Sequence, residues 1–107
     1  MQGVILAAGI GKRLMPYTES RPKSMVEVLG KPIIDYILES LAKKNVTEII
    51  IVIGYFKNSI IDHVGDEYKG IKVTYVHNVD YKNTNNIYSL KLAIEKIRDN
   101  FILCEGD

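Results

Sequence analysis

Apolar residues fall into two patterns along the chain, short continuous runs and longer stretches with helical spacing. Four short runs, rich in β-branched residues, predict strands at residues 3–8, 48–53, 71–76 and 101–104. Continuously apolar runs of this length are typical of strands that a sheet buries on both faces. We therefore expect a sheet at the centre of the molecule.

Three stretches between the strands carry apolar residues three and four positions apart, the spacing of one helix face. We predict that the first helix begins at Pro32, since proline fits the first turn, where its missing N–H is not needed. The second is shorter and ends at Gly65, and the third has Thr84, Asn85 or Asn86 as its N-cap. The apolar positions are Ile33, Ile34, Ile37, Leu38 and Leu41, then Ile60, Ile61 and Val64, then Ile87, Leu90, Ala93, Ile94 and Ile97.

The alternation of strands and helices predicts the fold class. The order β-α-β-α-β-α-β favours an α/β fold with a mainly parallel sheet, helices on both faces and right-handed crossovers. This arrangement is a Rossmann-like three-layer α/β/α fold. Residues 9–31 contain three glycines, two prolines and no sustained period, so we expect mostly a long loop there. Long loops in compact domains are usually functional or disordered.

Length, composition and charge exclude several classes of protein. The 107 residues suffice for one small domain, and no apolar run is long enough to span a bilayer. The net charge is +1, but residues 1–31 hold five basic and two acidic side chains. This local excess suits a small polyanion, and the even overall balance argues against nucleic-acid binding. Cys104 is the single cysteine, which excludes an intrachain disulfide and predicts a reducing compartment, the cytoplasm.

A turn with two glycines directly follows the first predicted strand. Gly9 and Gly11 are followed at once by Lys12 and Arg13, and Lys23 comes ten residues later. Glycine allows a close approach of the backbone to a ligand, and the free N–H groups of such a turn form a cradle for an anion. Lysine and arginine add formal positive charge. The turn therefore predicts a triphosphate site.

Other glycine-rich turns fit this sequence less well. A P-loop requires serine or threonine after Gly-Lys, but Arg13 follows Lys12 here. A dinucleotide-binding turn requires a third glycine, and Leu14 stands at that position. A plain turn between strand and helix, with solvated cations, is the remaining alternative.

Two motifs resemble those of the sugar-phosphate nucleotidyltransferases. The first is Leu6-Ala7-Ala8-Gly9-x-Gly11-x-Arg13-Leu14, followed by Pro16, Thr18, Pro22-Lys23, Val28 and Gly30-Lys31-Pro32-Ile33. The second is Tyr81-x-x-Thr84-Asn85-Asn86-Ile87-Tyr88-Ser89-Leu90, which resembles the branch that activates phosphocholine or inositol phosphate with CTP. Such enzymes transfer a nucleoside monophosphate from a nucleoside triphosphate to a phosphorylated sugar or alcohol and release pyrophosphate.

The resemblance covers the whole chain and implies an architecture. Residues 1–107 would form the N-terminal, nucleotide-binding half of a nucleotidyltransferase domain. The four strands, numbered along the sequence, would lie in the order 3-2-1-4. Ligands bind beyond the carboxyl ends of strands where such an order reverses, which here is between the first and fourth strands.

The resemblance also assigns roles to individual side chains. Arg13 would hold the β- and γ-phosphates, Lys23 would contact the α-phosphate or the incoming phosphate, and Asp107 would bind Mg²⁺. Solvated loop cations, helix capping by the asparagines and a surface aspartate are the respective alternatives. The residues expected to contact the nucleotide are Leu6, Ala7, Ala8, Gly9, Gly11, Lys12, Asn78, Asn86 and Ser89.

Two expectations concern the chain as a whole. The isolated 107 residues are expected to be inactive, because the family completes its metal and acceptor sites with later residues. The apolar strand at residues 101–104 would lie at a sheet edge without protective charges, so we expect a homo-oligomer formed through that edge. A non-catalytic nucleotide-binding module is the alternative function, which would bind nucleotide and release no pyrophosphate.

Overall fold

The computed structural model of the chain describes residues 1–11 and 15–106. Seven strands, three α-helices and one 3-10 helix form in this part of the chain. In chain order they are β1 (Gln2–Ala7), the 3-10 helix (Lys23–Met25), β2 (Glu27–Val28), β3 (Lys31–Pro32), α1 (Ile33–Lys43), β4 (Glu48–Ile53), α2 (Lys57–Val64), β5 (Glu67–Tyr68), β6 (Ile71–His77), α3 (Asn86–Ile94) and β7 (Phe101–Glu105).

Five of the strands form one sheet in the order β5-β6-β4-β1-β7. The pairs β6–β4, β4–β1 and β1–β7 are parallel, and the short β5 runs antiparallel to β6. The predicted fold class is confirmed, a three-layer α/β fold with a mainly parallel sheet. The four predicted strands lie in the sequence order 3-2-1-4, and β5 extends the sheet beyond β6.

Helices cover both faces of the sheet, because side chains of a strand point alternately to either side. On one face Ile34, Leu38 and Leu41 of α1 and Ile60 of α2 pack in a core with alternate residues of β1 and β4. On the other face Ala93 of α3 packs with the remaining residues of these strands. Every residue of β1 is buried, as predicted for a central strand.

Residues 9–31 are more ordered than the predicted long loop. Besides the 3-10 helix, β2 pairs with β3 in a two-stranded hairpin whose turn holds Leu29 and Gly30 at positive φ. Pro32 lies one residue before the predicted position, because it belongs to β3 and is the N-cap of α1, which begins at Ile33. Cross-strand pairing, which periodicity does not reveal, keeps Pro32 in extended backbone.

The ends of the other elements differ from the predictions by a few residues. The third helix ends at Ile94 with Glu95 as its C-cap, and Ile97 still packs against the core. Strand β5, which was not predicted, is joined to β6 by Lys69 and Gly70, both at positive φ. In the described part of the chain, no helix is both long and apolar enough to cross a membrane.

Candidate functional site

A small cavity lies where β1 and β7 end, at the edge of the sheet that the sequence predicts for ligand binding. Its volume is about 40 Å³. Since pockets for whole ligands are several times larger, this space admits one chemical group of a ligand. The described residues that line it are Leu6, Ala7, Gly9, Gly11, Lys23, Ser24, Asn86 and Gly106.

Beside the cavity, the chain after β7 closely approaches the end of β1. The N–H of Gly106 donates to the carbonyl oxygen of Leu6 over 2.7 Å. A Cβ atom at Gly106 would lie 2.9 Å from that oxygen and 3.2 Å from the Cβ of Ala7, closer than such atoms normally come. The chain after β7 can therefore lie against β1 here only because residue 106 is glycine.

The glycine turn and the segment that carries Lys23 pack directly against each other. Gly11 has a φ of +68°, and a Cβ atom there would lie 2.8 Å from the Cβ of Lys23 and 3.3 Å from the Cγ2 of Thr18. The hydroxyl of Thr18, which is buried, donates to the carbonyl oxygen of Gly11 over 3.0 Å. This contact brings Lys23 to the same cavity as Gly9.

Tyr55, at the end of β4, fixes the segment between the glycine turn and the 3-10 helix. Its hydroxyl donates to the carbonyl oxygens of Thr18 and Glu19, over 2.6 Å and 3.2 Å. Its backbone N–H donates to the carbonyl oxygen of Ala8 over 3.1 Å. One residue thus joins the end of β1, the Thr18 segment and the sheet.

The N-terminus of α3 forms another side of the cavity. Asn85 is the N-cap, and its side-chain oxygen accepts a hydrogen bond from the backbone N–H of Tyr88 over 3.2 Å. The structure thus identifies the N-cap among the three candidates that the sequence left open. Asn86, the first residue of the helix, is exposed and lines the cavity.

Asn78 is buried after the end of β6, and its amide group is fully engaged within the protein. Its Nδ2 donates to the hydroxyl oxygens of Thr84 and Ser89, over 2.9 Å and 3.2 Å. Its Oδ1 accepts from the backbone N–H of Asp80 over 3.0 Å. This network ties the loop before α3 to the first half of that helix.

The structure brings together most of the described site residues that the sequence predicts. Ala8 is buried next to the cavity but does not line it, and Asn78 and Ser89 lie in the network behind it. Their predicted contacts with a nucleotide stay predictions. The predicted residues that do line the cavity are Leu6, Ala7, Gly9, Gly11, Lys23 and Asn86. The predictions for Lys12, Arg13 and Asp107 lie outside the described residues.

Two lining residues, Ser24 and Gly106, have no role in the sequence prediction. A usable signal exists for each of them. Ser24 directly follows Lys23 in the family motif, and Gly106 follows a strand that ends at the predicted binding edge.

Among the described residues that line the cavity, Lys23 is the one with a charged side chain. Within residues 1–11 and 15–106, no three histidine, cysteine, aspartate or glutamate side chains lie close enough to hold a metal ion. Burial raises the pKa of the Cys104 thiol, against a smaller opposing effect of Lys44. This shift lowers the reactivity of Cys104, since the thiolate is the nucleophile.

Comparison with known proteins gives one family for this chain. Residues 2–107 match the Nucleotidyl transferase family. The chain is 42% identical over its whole length to a UTP–glucose-1-phosphate uridylyltransferase of Haloferax volcanii, of which it covers 43%. The resemblance drawn from the two sequence motifs is thereby confirmed.

Solved structures agree with this assignment. The CTP:phosphocholine cytidylyltransferase of Streptococcus pneumoniae superposes with a TM-score of 0.84 at 40% identity, over 99% of this chain and 44% of that protein. The inositol-1-phosphate CTP transferase of T. maritima gives a TM-score of 0.83 at 27% identity, over 99% of this chain and 43% of that one. The chain thus spans less than half the length of these relatives.

Gly11 offers a test of the contact between the glycine turn and Lys23. In the variant Gly11→Ala, we expect an alanine at positive φ to lower stability by about 1–2 kcal/mol. The added Cβ also displaces Lys23, so affinity for a nucleoside triphosphate should fall about tenfold, measured by titration calorimetry.

Gly70→Ala is the matched control, because Gly70 also has a positive φ (+83°) but a Cβ there would meet open space. This variant should lose similar stability and keep its affinity. Equal affinities of the two variants would contradict the importance of the contact.

Proposed function

Because the chain belongs to the Nucleotidyl transferase family, we propose that its 107 residues form the nucleotide-binding half of a nucleotidyltransferase domain. Members of this family bind nucleoside triphosphates and phosphorylated acceptors. The observation that carries the proposal is the cavity beyond β1 and β7, where the turn at Gly9 and Gly11 meets Lys23 and Asn86. A backbone turn beside a cation suits a phosphate group.

The proposed reaction is a transfer of the nucleoside monophosphate to a phosphorylated sugar or alcohol. An oxygen of the acceptor phosphate attacks the α-phosphorus in line and forms a new P–O bond. The bond from the α-phosphorus to the oxygen that bridges it to the β-phosphorus breaks, and pyrophosphate leaves with that oxygen. Negative charge spreads over the phosphoryl oxygens, where Lys23 and Arg13 would stabilise it.

Divalent metal ions are in general use in this family. We propose Mg²⁺ as the ion and Asp107 as a ligand, because Mg²⁺ prefers oxygen ligands and the resemblance assigns that residue. When bound, the ion would neutralise charge on the phosphates. The described residues supply the backbone turn at Gly9 and Gly11 and the side chain of Lys23. These groups would bind phosphate oxygens directly and not through the ion.

The proposed triphosphate is CTP. The support is the segment 84–89, which resembles the branch specific for CTP, and the two cytidylyltransferase structures, whose names state CTP. The uridylyltransferase relative takes UTP by its name, so base choice varies among similar chains. The cytoplasm, indicated by the single cysteine, stays the predicted location.

Binding of a triphosphate is tested with the variant Arg13→Ala. If Arg13 holds the β- and γ-phosphates, its loss should weaken triphosphate binding by about 1.5–3 kcal/mol, the scale of a charge-assisted hydrogen bond. Titration calorimetry with CTP measures this difference. Arg98→Ala is the control, since Arg98 is exposed at the opposite end of the sheet. Wild-type affinity in the Arg13 variant would refute the assignment.

Base choice is tested by competition. A labelled CTP bound to the chain should be displaced by unlabelled CTP at lower concentration than by ATP or GTP, because a pyrimidine site excludes the larger purine ring. UTP serves as the closest competitor. A purine triphosphate that ranks first would overturn the proposal for CTP.

We also propose self-association of the 107-residue chain through β7. Among the described strands, β7 pairs with β1 alone, and its Phe101 and Leu103 are 41% and 42% exposed. An apolar edge strand, here with its only charged residue, Glu105, at its end, is a template for pairing with a second copy. Light scattering after size exclusion should show a dimer, and Leu103→Lys should convert it to a monomer. The control is Val28→Lys, at another exposed apolar position, which should leave the dimer intact. A wild-type monomer at high concentration would refute the proposal.

A further inference from the structure

Ser24 stands out among the buried polar side chains. It is 1% exposed, yet its Oγ has no hydrogen-bond partner among the described residues. Thr18, Asn78 and Ser89 are equally buried, and each of these side chains has a partner within the protein. In the described part of the chain, the hydroxyl of Ser24 is therefore the exception among buried side-chain polar groups.

A buried hydroxyl without a partner lowers the stability of the free protein, because it has lost its hydrogen bonds to water. Native structures satisfy nearly all such groups, so each exception calls for an explanation. Packing does not require the hydroxyl at residue 24, since alanine has almost the same shape without the polar atom. A partner that is brought by a ligand is the explanation that fits the position of this residue.

Ser24 lines the cavity together with Lys23, Gly9 and Gly11. No acidic side chain is among the described residues that line this space. A hydroxyl can donate or accept, but next to a lysine and a glycine turn the expected ligand group is an anion, which only accepts. The volume of about 40 Å³ suits one small group rather than a base with its ribose.

We propose that the Oγ of Ser24 donates a hydrogen bond to a phosphate oxygen of the bound nucleoside triphosphate. The inference rests on the proposed function and names a residue that this function did not assign. The free protein carries the cost of the unpaired hydroxyl, and the ligand relieves it. Removal of the hydroxyl should therefore move stability and affinity in opposite directions.

The test is Ser24→Ala, with Ser20→Ala as the matched control at an exposed position of the same segment. Without ligand, the melting temperature of Ser24→Ala should equal or exceed that of the wild type. In titration calorimetry its affinity should fall about tenfold, both for CTP and for inorganic triphosphate, which lacks base and ribose. Ser20→Ala should change neither quantity.

Each other outcome overturns the inference in a distinguishable way. Unchanged affinity in Ser24→Ala, while the wild type binds CTP, would refute the hydrogen bond and leave the proposed function intact. A loss for CTP but not for inorganic triphosphate would refute the phosphate as the partner. A lower melting temperature together with a loss of affinity would show that the hydroxyl of Ser24 stabilises the fold, which would refute its role as a ligand contact. A wild type that binds neither probe would refute the proposed function and this inference together.

Discussion

The whole structure depends on the burial of β1 and β4 on both faces. A parallel sheet whose central strands are apolar beyond their first residues, Gln2 and Glu48, needs helices above and below it. Each crossover connection brings the chain back to the same end. All four parallel strands therefore finish at one edge, where the connecting loops begin. Burial of aliphatic side chains in two cores thus places a glycine turn, a lysine and a helix N-terminus next to one cavity.

Polar contacts then give the loops at this edge a defined shape. Tyr55 holds the segment that contains Thr18, and Thr18 holds the carbonyl group of Gly11. Behind the cavity, the amide of Asn78 joins the end of β6 to Ser89 of α3. The backbone around the cavity is therefore set by the protein itself, which lowers the cost of ordering it when a ligand binds.

The sequence predicts the main elements well because their patterns are local. Periodicity alone identifies the four long strands and three helices, and the family motif identifies Gly9, Gly11 and Lys23 as site residues. Pairings between very short strands cannot be predicted from periodicity. Strand β5 and the β2–β3 hairpin contain two residues per strand, too few to show a period.

Hydrogen bonds between polar side chains cannot be predicted in this way for a different reason. The partners of Asn78 are eleven or fewer residues away but depend on where the helix begins, and the lack of a partner at Ser24 shows only in three dimensions. Because an asparagine before a helix suggests both a cap and a ligand contact, sequence alone does not decide between a packing role and a binding role for such residues.

The pairing of β1 with both β4 and β7 has a consequence for how the chain folds. Gln2 lies beside Glu48 on one side and beside Phe101 on the other, so β1 sits between two partner strands that both follow it at long distances along the chain. Contacts over such separations form slowly, because the loop must close before any contact is gained. On the ribosome, one edge of β1 stays unpaired until β7 has emerged, so the hydrogen bond from Gly106 to Leu6 cannot form before then.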